Sequence, residues 1–590
     1  MSAISAAELV IARGARRQTR VAVITLAGVL ATLTALGARL IYINQVLAPR
    51  FVGLAQSQQD AHTVIPARRG QIFDARGRVI AGSEMLPTVF VDPSQIEHPD
   101  EVAAALAPVL GMDAGELEDR IRQRSDRSYC PLKREVPAAE AQVVRELRLR
   151  GVGVGDASCR RYPMGRLMSQ TIGFVGRDGD GLEGLELAYD AFLRGRDGQR
   201  VTIRDAQRRI LADQDGATAE PVDGGHLVLT LDAVIQDLVE QELAHAVSSV
   251  DAEFGMSVVM APRTGEILAL ATWPTYHPTE LEASPPQYRR NRTVTDAFEP
   301  GSVFKPFVMS GALTRRVVSP AELIDCHNGS FFFGRRLIHD TKPSGALTPE
   351  GIIARSSNIG MGIIGTRMGN PALHDIITRF GFGVPTGVGF PGESPGLALP
   401  LKEWNVYSTT SVPMGHETMV TPLQLATAMC ALCNDGVLLR PRLVKALLNA
   451  DGTVKQSFDE PRVLRQVVPT EIAHWIVQKA MVAVVAESAH TDSLLGEYRI
   501  AGKTGTAQVP YPHRRGYQPE AYLSSFMGTA PADHPQVVAL VMIYKPNPRK
   551  GYYGRVVSLP AVRDILVGSL GYLQVSLDPA ALEAVARASE

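Results

Sequence analysis

The sequence predicts an α+β protein in three parts. These are one N-terminal apolar helix, a mixed α/β segment, and a larger region whose antiparallel sheet carries helices on both faces and encloses a helical lobe. Three observations carry this. The run Val21 to Ile43 is apolar and long enough to cross a bilayer. Residues 50 to about 225 alternate short strand and helix patterns. Beyond them, strand-like segments sit at both ends of a long, largely helical stretch, so the two ends can pair into one sheet. With 590 residues, two or three domains with sizeable cores fit. Hydrophobic content of 45% and charged content of 21% are those of an ordinary folded protein. A net charge of −1 supplies no global field for nucleic acid.

In order, Arg13, Arg16, Arg17 and Arg20 precede the apolar run, and Arg39 near its end can snorkel to the interface. The arginine cluster predicts a cytoplasmic N-terminus. A cleaved secretory signal is the alternative, with Ala35-Leu36-Gly37 as a poor cleavage site. Either reading exports the rest. Arg68 to Ala81 is expected to form two short strands around a turn at Arg76-Gly77. Residues 100–125 and 137–149 have the spacing of solvated amphipathic helices. Leu227 to Leu231 is expected to be a strand and Ala233 to Val247 a helix. Ser257 to Met260 pairs with Ile267 to Leu270 around a turn at residues 262–265. Ser525 to Gly528 and Val537 to Ile543 read as strands, and Ala561 to Leu573 as a final helix. Five cysteines are too few and scattered for a disulfide scaffold. Cys430 and Cys433 read as buried thiols in an apolar helix, since no second pair completes a metal site. Whether Cys130 and Cys159 pair is open at this level.

The candidate chemistry begins at Glu299-Pro300-Gly301-Ser302-Val303-Phe304-Lys305-Pro306. Pro306 has no N–H to give, so it belongs in the first turn of the apolar helix that follows, and the helix begins near Gly301 or Ser302. Ser302 then sits at the positive end of the helix dipole, and Lys305 lies one turn on, on the same face. A serine hydroxyl needs a neighbouring base to become a nucleophile, and a buried lysine with a lowered pKa can be that base. By itself the pair is weak, because Ser-x-x-Lys should recur about twice by chance in a chain this long.

Two further stretches match what acyl transfer from Ser302 needs. In Ser356-Ser357-Asn358 a hydroxyl and a carboxamide on a tight turn can face one way. Ser356 can pass a proton to a leaving group and Asn358 can bond an amide. In Lys503-Thr504-Gly505-Thr506 the threonines share one face of a strand, and Gly505 leaves room for another backbone. Such a strand can take an extended peptide by strand addition. Lys503 and the hydroxyls would hold a terminal carboxylate, and the N–H groups of Ser302 and Thr506 would form an oxyanion hole.

The order S-x-x-K, S-x-N, K-T-G is the signature of penicillin-binding proteins and serine β-lactamases. The chain resembles the class B high-molecular-weight penicillin-binding proteins, from the apolar run to about residue 570. Arg69, Gly70, Asp74 and Gly77 look like the first motif of that family's N-terminal pedestal, although Asp74-Ala75-Arg76-Gly77 departs from the usual D-R-N-G. Arg161-Tyr162-Pro163, Gly184-Leu185-Glu186 and Val420-Thr421-Pro422-Leu423-Gln424 are also similar to family stretches. Gly198 to Leu211 is more like the division-associated branch than the elongation branch.

The resemblance implies a penicillin-binding/serine β-lactamase-like transpeptidase domain on an elongated pedestal. Its segments would be a cytoplasmic tail (1–20), a membrane anchor (21–45), the pedestal (46–224), the transpeptidase domain (225–575) and a tail (576–590). It implies cross-linking of stem peptides ending in D-Ala-D-Ala through a Ser302 acyl-enzyme, acylation by β-lactams, and no metal or cofactor. It also implies a polytopic glycan polymerase and division-complex membrane proteins as partners, met through the anchor and residues 50–90. The competing readings are an elongation-type enzyme, a D,D-carboxypeptidase or β-lactamase-like hydrolase, and a non-catalytic scaffold or sensor. A secreted lactamase needs neither anchor nor pedestal, and a sensor needs an output domain larger than about twenty residues.

Overall fold

The first element, α1 (Ile4–Tyr42), carries its apolar side chains outward: Val21, Ile24, Leu33 and Leu40 are all exposed. Its threonine hydroxyls are satisfied within the helix. Thr25, Thr32 and Thr34 each donate to the carbonyl four residues back, at 2.8 Å. Among the described residues it is the one helix long and apolar enough to cross a membrane. At its end the Arg39 guanidinium lies 5.5 Å from the Tyr42 ring centroid, a cation–aromatic pair suited to an interface.

The computed structural model describes residues 4–48, 50, 60–125, 129–176, 179–204, 210–213, 219–488, 498–514 and 516–576. The chain forms two compact units, residues 1–66 with 196–222 and residues 67–195 with 223–590. Part of the Gly198 to Leu211 stretch, part of residues 50–90 and nearly all of the tail from 576 lie outside the described residues.

The N-terminal strands and helices are β1 (Asp60–Ile65), β2 (Ile72–Phe73), β3 (Val79–Val91), α2 (Pro99–Leu110), α3 (Ala114–Arg122), β4 (Cys130–Lys133), α4 (Ala138–Leu147), β5 (Val152–Arg161), β6 (Gly198–Arg204) and β7 (Ile210–Asp213). In the first unit β1, β6 and β7 make an antiparallel sheet. In the second half come β8 (His226–Leu229), α5 (Ala233–Ser249), β9 (Phe254–Ala261), β10 (Glu266–Trp273), α6 (Lys305–Thr314), α7 (Pro349–Arg355), α8 (Asn358–Arg379), α9 (Pro422–Cys433), β11 (Val444–Leu448), β12 (Val454–Ser457), β13 (Ala501–Pro510), β14 (Tyr517–Ala530), β15 (Val537–Tyr544) and α10 (Gly554–Tyr572).

The expected sheet from the two ends of the second half forms in the order β10-β9-β15-β14-β13, antiparallel throughout. The central strands are buried on both faces, which explains their continuous apolar runs. Helices α5 and α10 cover one face through Val239, Leu243, Val562 and Ile565. The wholly buried α9 lies against β9 and β15 on the other. Its capping box, Thr421 with Gln424, fixes its start, and burial pushes its Cys433 thiol up to about 12.

The strand at 226–229 joins a different sheet. It pairs in parallel with β2 and antiparallel with β11, in a seven-stranded sheet ordered β12-β11-β8-β2-β3-β4 with β5 also on β3. Strands from both sides of the expected pedestal boundary thus share one ladder. Helices α2, α3 and α4 pack Leu106, Leu117 and Val144 onto Val89 and Leu132 of its far end. Cys130 and Cys159 are both free and buried. They flank β3 opposite Val91 and Glu84, a separation of about 23 Å at strand rise, so they cannot bridge.

The pedestal motif residues fall at the junction of the two sequence regions. Arg69 donates from Nε to Glu186 at 2.7 Å and from Nη1 to Asp190 at 2.6 Å, and Arg160 donates to the other Glu186 oxygen at 2.7 Å. The Gly70 N–H bonds the Leu193 carbonyl at 2.7 Å. Asp74 accepts from the N–H groups of Arg76, Arg78 and Ala233, at 2.9, 2.8 and 3.1 Å, closing the turn in which Gly77 takes a φ of 81°. Gly184 opens the short helix 184–188 that carries Glu186. Where the sequence departs from the family's usual residues at 75 and 76, Arg76 and Arg78 instead bond Asp232 at the start of α5, at 3.0 and 2.6 Å.

Candidate active site

Helix α6 begins one turn later than expected. Residues 301–304 form a 3-10 turn, and Lys305 is the first α-helical residue, followed by Pro306. Ser302 therefore lies in the 3-10 turn. Gly301 has a φ of +59°, and a Cβ there would come within 3.1 Å of Ala507. On the facing strand a Cβ on Gly505 would meet Ser525 Oγ at 2.3 Å and Val303 at 3.0 Å. Paired glycines thus let the serine turn lie against β13.

Strand β13 is the sheet's edge, with no further strand beside it among the described residues. Thr504 and Thr506 share its half-exposed face, while Lys503, Gly505 and Ala507 are buried. The Thr506 hydroxyl accepts from the Gly554 N–H at 3.2 Å, which leaves its own proton for an outside acceptor. Ser356 caps α7 in the left-handed conformation, φ 59°, and Asn358 opens α8 two residues on.

These stretches converge on Ser356. Lys305 Nζ lies 3.1 Å from Ser356 Oγ, 2.6 Å from the Ser356 carbonyl and 2.8 Å from Asn358 Oδ1. Lys503 Nζ approaches the same hydroxyl from the other side at 3.0 Å. Both lysines are fully buried. Burial pulls the Lys305 amine down to about 7, against an opposing pull from Asp340. Lys503 is held well below the usual lysine range by burial and by the Lys305 charge. Lys305 has three acceptors within reach, the Ser356 carbonyl, the Ser356 hydroxyl and Asn358 Oδ1, and once unprotonated it donates to two and can accept from the third.

Two groups here had no role in the sequence reading. Asp340 accepts from the N–H groups of Asn358 and Ile359, at 2.5 and 3.0 Å, and from the Ser357 hydroxyl at 2.6 Å, fixing the Ser356–Asn358 turn. No local pattern marks it, since it comes from a separate hairpin. On the N-terminal side of Ser302, Glu299 bonds His416 at 2.9 Å and Tyr517 at 3.0 Å. Only its position three residues before Ser302 could have drawn attention to it.

Comparison with known proteins bears on the whole chain. Residues 255–567 match the penicillin binding protein transpeptidase domain, and residues 64–229 the penicillin-binding protein dimerisation domain. The chain is 34% identical over 571 residues to a probable peptidoglycan D,D-transpeptidase, PbpC, of Pseudomonas aeruginosa, covering 95% of this chain and 97% of the relative. It is 31% identical to the peptidoglycan D,D-transpeptidase FtsI of Escherichia coli, covering 87% of this chain and 85% of the relative. Penicillin binding protein 3 of Mycobacterium tuberculosis, solved with aztreonam, superposes with a TM-score of 0.68 at 28% identity, covering 88% of this chain and 98% of that one. Sequence, domain order and fold agree across nearly the full length, and the chain belongs to the class B penicillin-binding proteins.

Proposed function

We propose that this chain is a membrane-anchored peptidoglycan D,D-transpeptidase whose nucleophile is Ser302, and that β-lactams acylate the same serine. The observation that carries this reading is the buried Lys305–Ser356–Lys503 array beside the Ser302 turn. The relatives' printed activities and the β-lactam-bound neighbour support it. The donor stem peptide lies along β13, and its terminal carboxylate is held by Lys503, Thr504 and Thr506. That carboxylate stabilises charge on Lys503, and a charge on Lys503 disfavours one on Lys305. Donor binding therefore keeps the base unprotonated. Lys305 takes the Ser302 proton as Oγ attacks the penultimate carbonyl, and the N–H groups of Ser302 and Thr506 hold the oxyanion. Ser356 passes a proton to the departing D-Ala, and Asn358 orients the acyl chain. An acceptor amine then displaces Ser302 to form the cross-link.

In this reading α1 is a retained anchor with its arginine-rich end in the cytoplasm and the bulk outside it. Residues 46–224 serve as pedestal and 225–575 as the transpeptidase part. The FtsI likeness favours septal wall synthesis, with a polytopic glycan polymerase and division-complex proteins as membrane partners. Arg69, Gly70, Gly184 and Glu186 are assigned to holding the pedestal together, and Asp74 and Gly77 to tying it to the start of α5, with no chemical role.

Mass spectrometry of the β-lactam-labelled protein tests the reading. A persistent adduct on the Ser302 peptide, absent in Ser302→Ala, is expected. An adduct elsewhere, or rapid release of hydrolysed drug, would contradict it. Release of D-Ala with formation of a cross-linked dimer separates the transpeptidase from a carboxypeptidase.

A further inference from the structure

The acceptor amine poses a problem the lysine array does not solve. An alkyl amine arrives at neutral pH as an ammonium, because its pKa lies near that of lysine, about 10.4. It cannot attack until it has lost one proton. The Lys305–Ser356 array, emptied when D-Ala left with the Ser302 proton, can return one amine proton to the departing Ser302 Oγ, so the extra proton of the ammonium needs another route.

A second polar cluster lies on the N-terminal side of the Ser302 turn. Glu299, three residues before Ser302, places one carboxylate oxygen 2.9 Å from His416 Nδ1 and 3.0 Å from the Tyr517 hydroxyl. Its other oxygen accepts the Glu417 N–H at 3.2 Å. The loop bearing His416 lies against the nucleophile's turn. The Gly301 N–H donates to the Gly415 carbonyl at 3.2 Å, and a Cβ on Gly415 would overlap the Gly301 backbone, 2.1 Å from its oxygen. His416 is partly exposed, with 29% of its side chain accessible, and its Nε2 bonds nothing among the described residues. An Nδ1–H donated to the Glu299 carboxylate leaves the Nε2 lone pair free, which is the carboxylate–imidazole arrangement that makes histidine a general base.

We infer that His416, oriented by Glu299, is the catalytic base that takes the first proton from the acceptor ammonium. This rests on the transpeptidase reading above. The ammonium transfers one proton to Nε2, which gives it up to solvent. The neutral amine attacks the Ser302 ester carbonyl. As the C–N bond forms and the ester C–O bond breaks, the second amine proton passes through Ser356 to the departing Ser302 Oγ. Glu299 and Glu417 place negative charge beside His416, which favours an alkyl ammonium as the acceptor. Other charged or titratable groups around His416 are Tyr517 from β14 and Arg336, whose charge acts on Tyr517.

The test uses the full-length protein, the variant His416→Gln and two acceptors. One is a soluble muropeptide whose amine is an ammonium at pH 7, and the other is hydroxylamine, already neutral there. Transfer is expressed relative to Ser302 acylation by a thioester donor. In His416→Gln, transfer to the muropeptide should fall about 100-fold at pH 7 and recover as pH approaches the amine's pKa. Transfer to hydroxylamine should change less than about 3-fold. Glu299→Gln, which keeps the acceptor for the Glu417 N–H, should show the same selective loss more weakly. Equal loss with both acceptors, loss of acylation in step with transfer, or no loss at all would overturn the inference. If the unmodified protein fails to acylate at Ser302, the transpeptidase reading falls along with it.

Discussion

The protein buries two clusters of charge-bearing side chains and treats them oppositely. At the pedestal junction Arg69 and Arg160 face Glu186 and Asp190, with cations and carboxylates in balance. Burial alone would pull the Arg69 guanidinium down, but Glu186 and Asp190 more than offset it, and its pKa rises. That cluster is locked in one charge state. In the Lys305–Ser356–Lys503 array two lysines flank one hydroxyl, and the neighbouring carboxylate, Asp340, bonds backbone N–H groups and Ser357, not either amine. Burial without a partnered counter-charge makes an amine surrender its proton. The same desolvation is thus structural where it is compensated and chemical where it is not.

The contrast is sharpest in Lys305→Gln, which removes the base and keeps a polar side chain with N–H donors. Acylation by a β-lactam should fall on the order of 10³-fold with little change in melting temperature, read by acylation kinetics and thermal unfolding. Glu186→Gln should do the reverse. It leaves two buried guanidiniums short of counter-charge and costs about 3–5 kcal/mol of stability, while Ser302 labelling per folded molecule stays unchanged. Gly301→Ala places a side chain on a positive-φ residue pressed against Ala507, for a loss of about 1–2 kcal/mol visible in denaturant melts. The smallest expected change is Asp340→Asn. The Asp340 charge favours protonated Lys305, so its removal lowers the Lys305 pKa further. The midpoint of the acylation pH profile should then move down, with about 1 kcal/mol lost from the start of α8.

How far the sequence announced these features follows from the range of the interactions. Pro306 constrained the start of α6 to within one turn, because its missing N–H is a local property. The alternation of Thr504 and Thr506 against buried Lys503 and Gly505 was legible from strand period alone. The lowered pKa of Lys305 was only a requirement of the chemistry until its complete burial was seen. Asp340, Glu299 and His416 stayed silent because their partners come from other hairpins and loops. Leu227 to Leu229 was legible as a strand but not as a neighbour of β2, since parallel pairing leaves no mark in either segment. The distance between Cys130 and Cys159 likewise emerged only once the two were seen to lie opposite Val91 and Glu84 of β3.

The claim that uncompensated burial makes Lys305 the base is tested most directly by the pH dependence of the second-order rate constant for Ser302 acylation. The β-lactam used must not itself titrate over the range. Acylation needs unprotonated Lys305, so the constant should climb about tenfold per pH unit below the midpoint, turn over near the Lys305 value of about 7, and stay level above it. A profile that is flat from about pH 6 to 9, or one that climbs only as pH nears the ordinary lysine value of about 10.4, would contradict it.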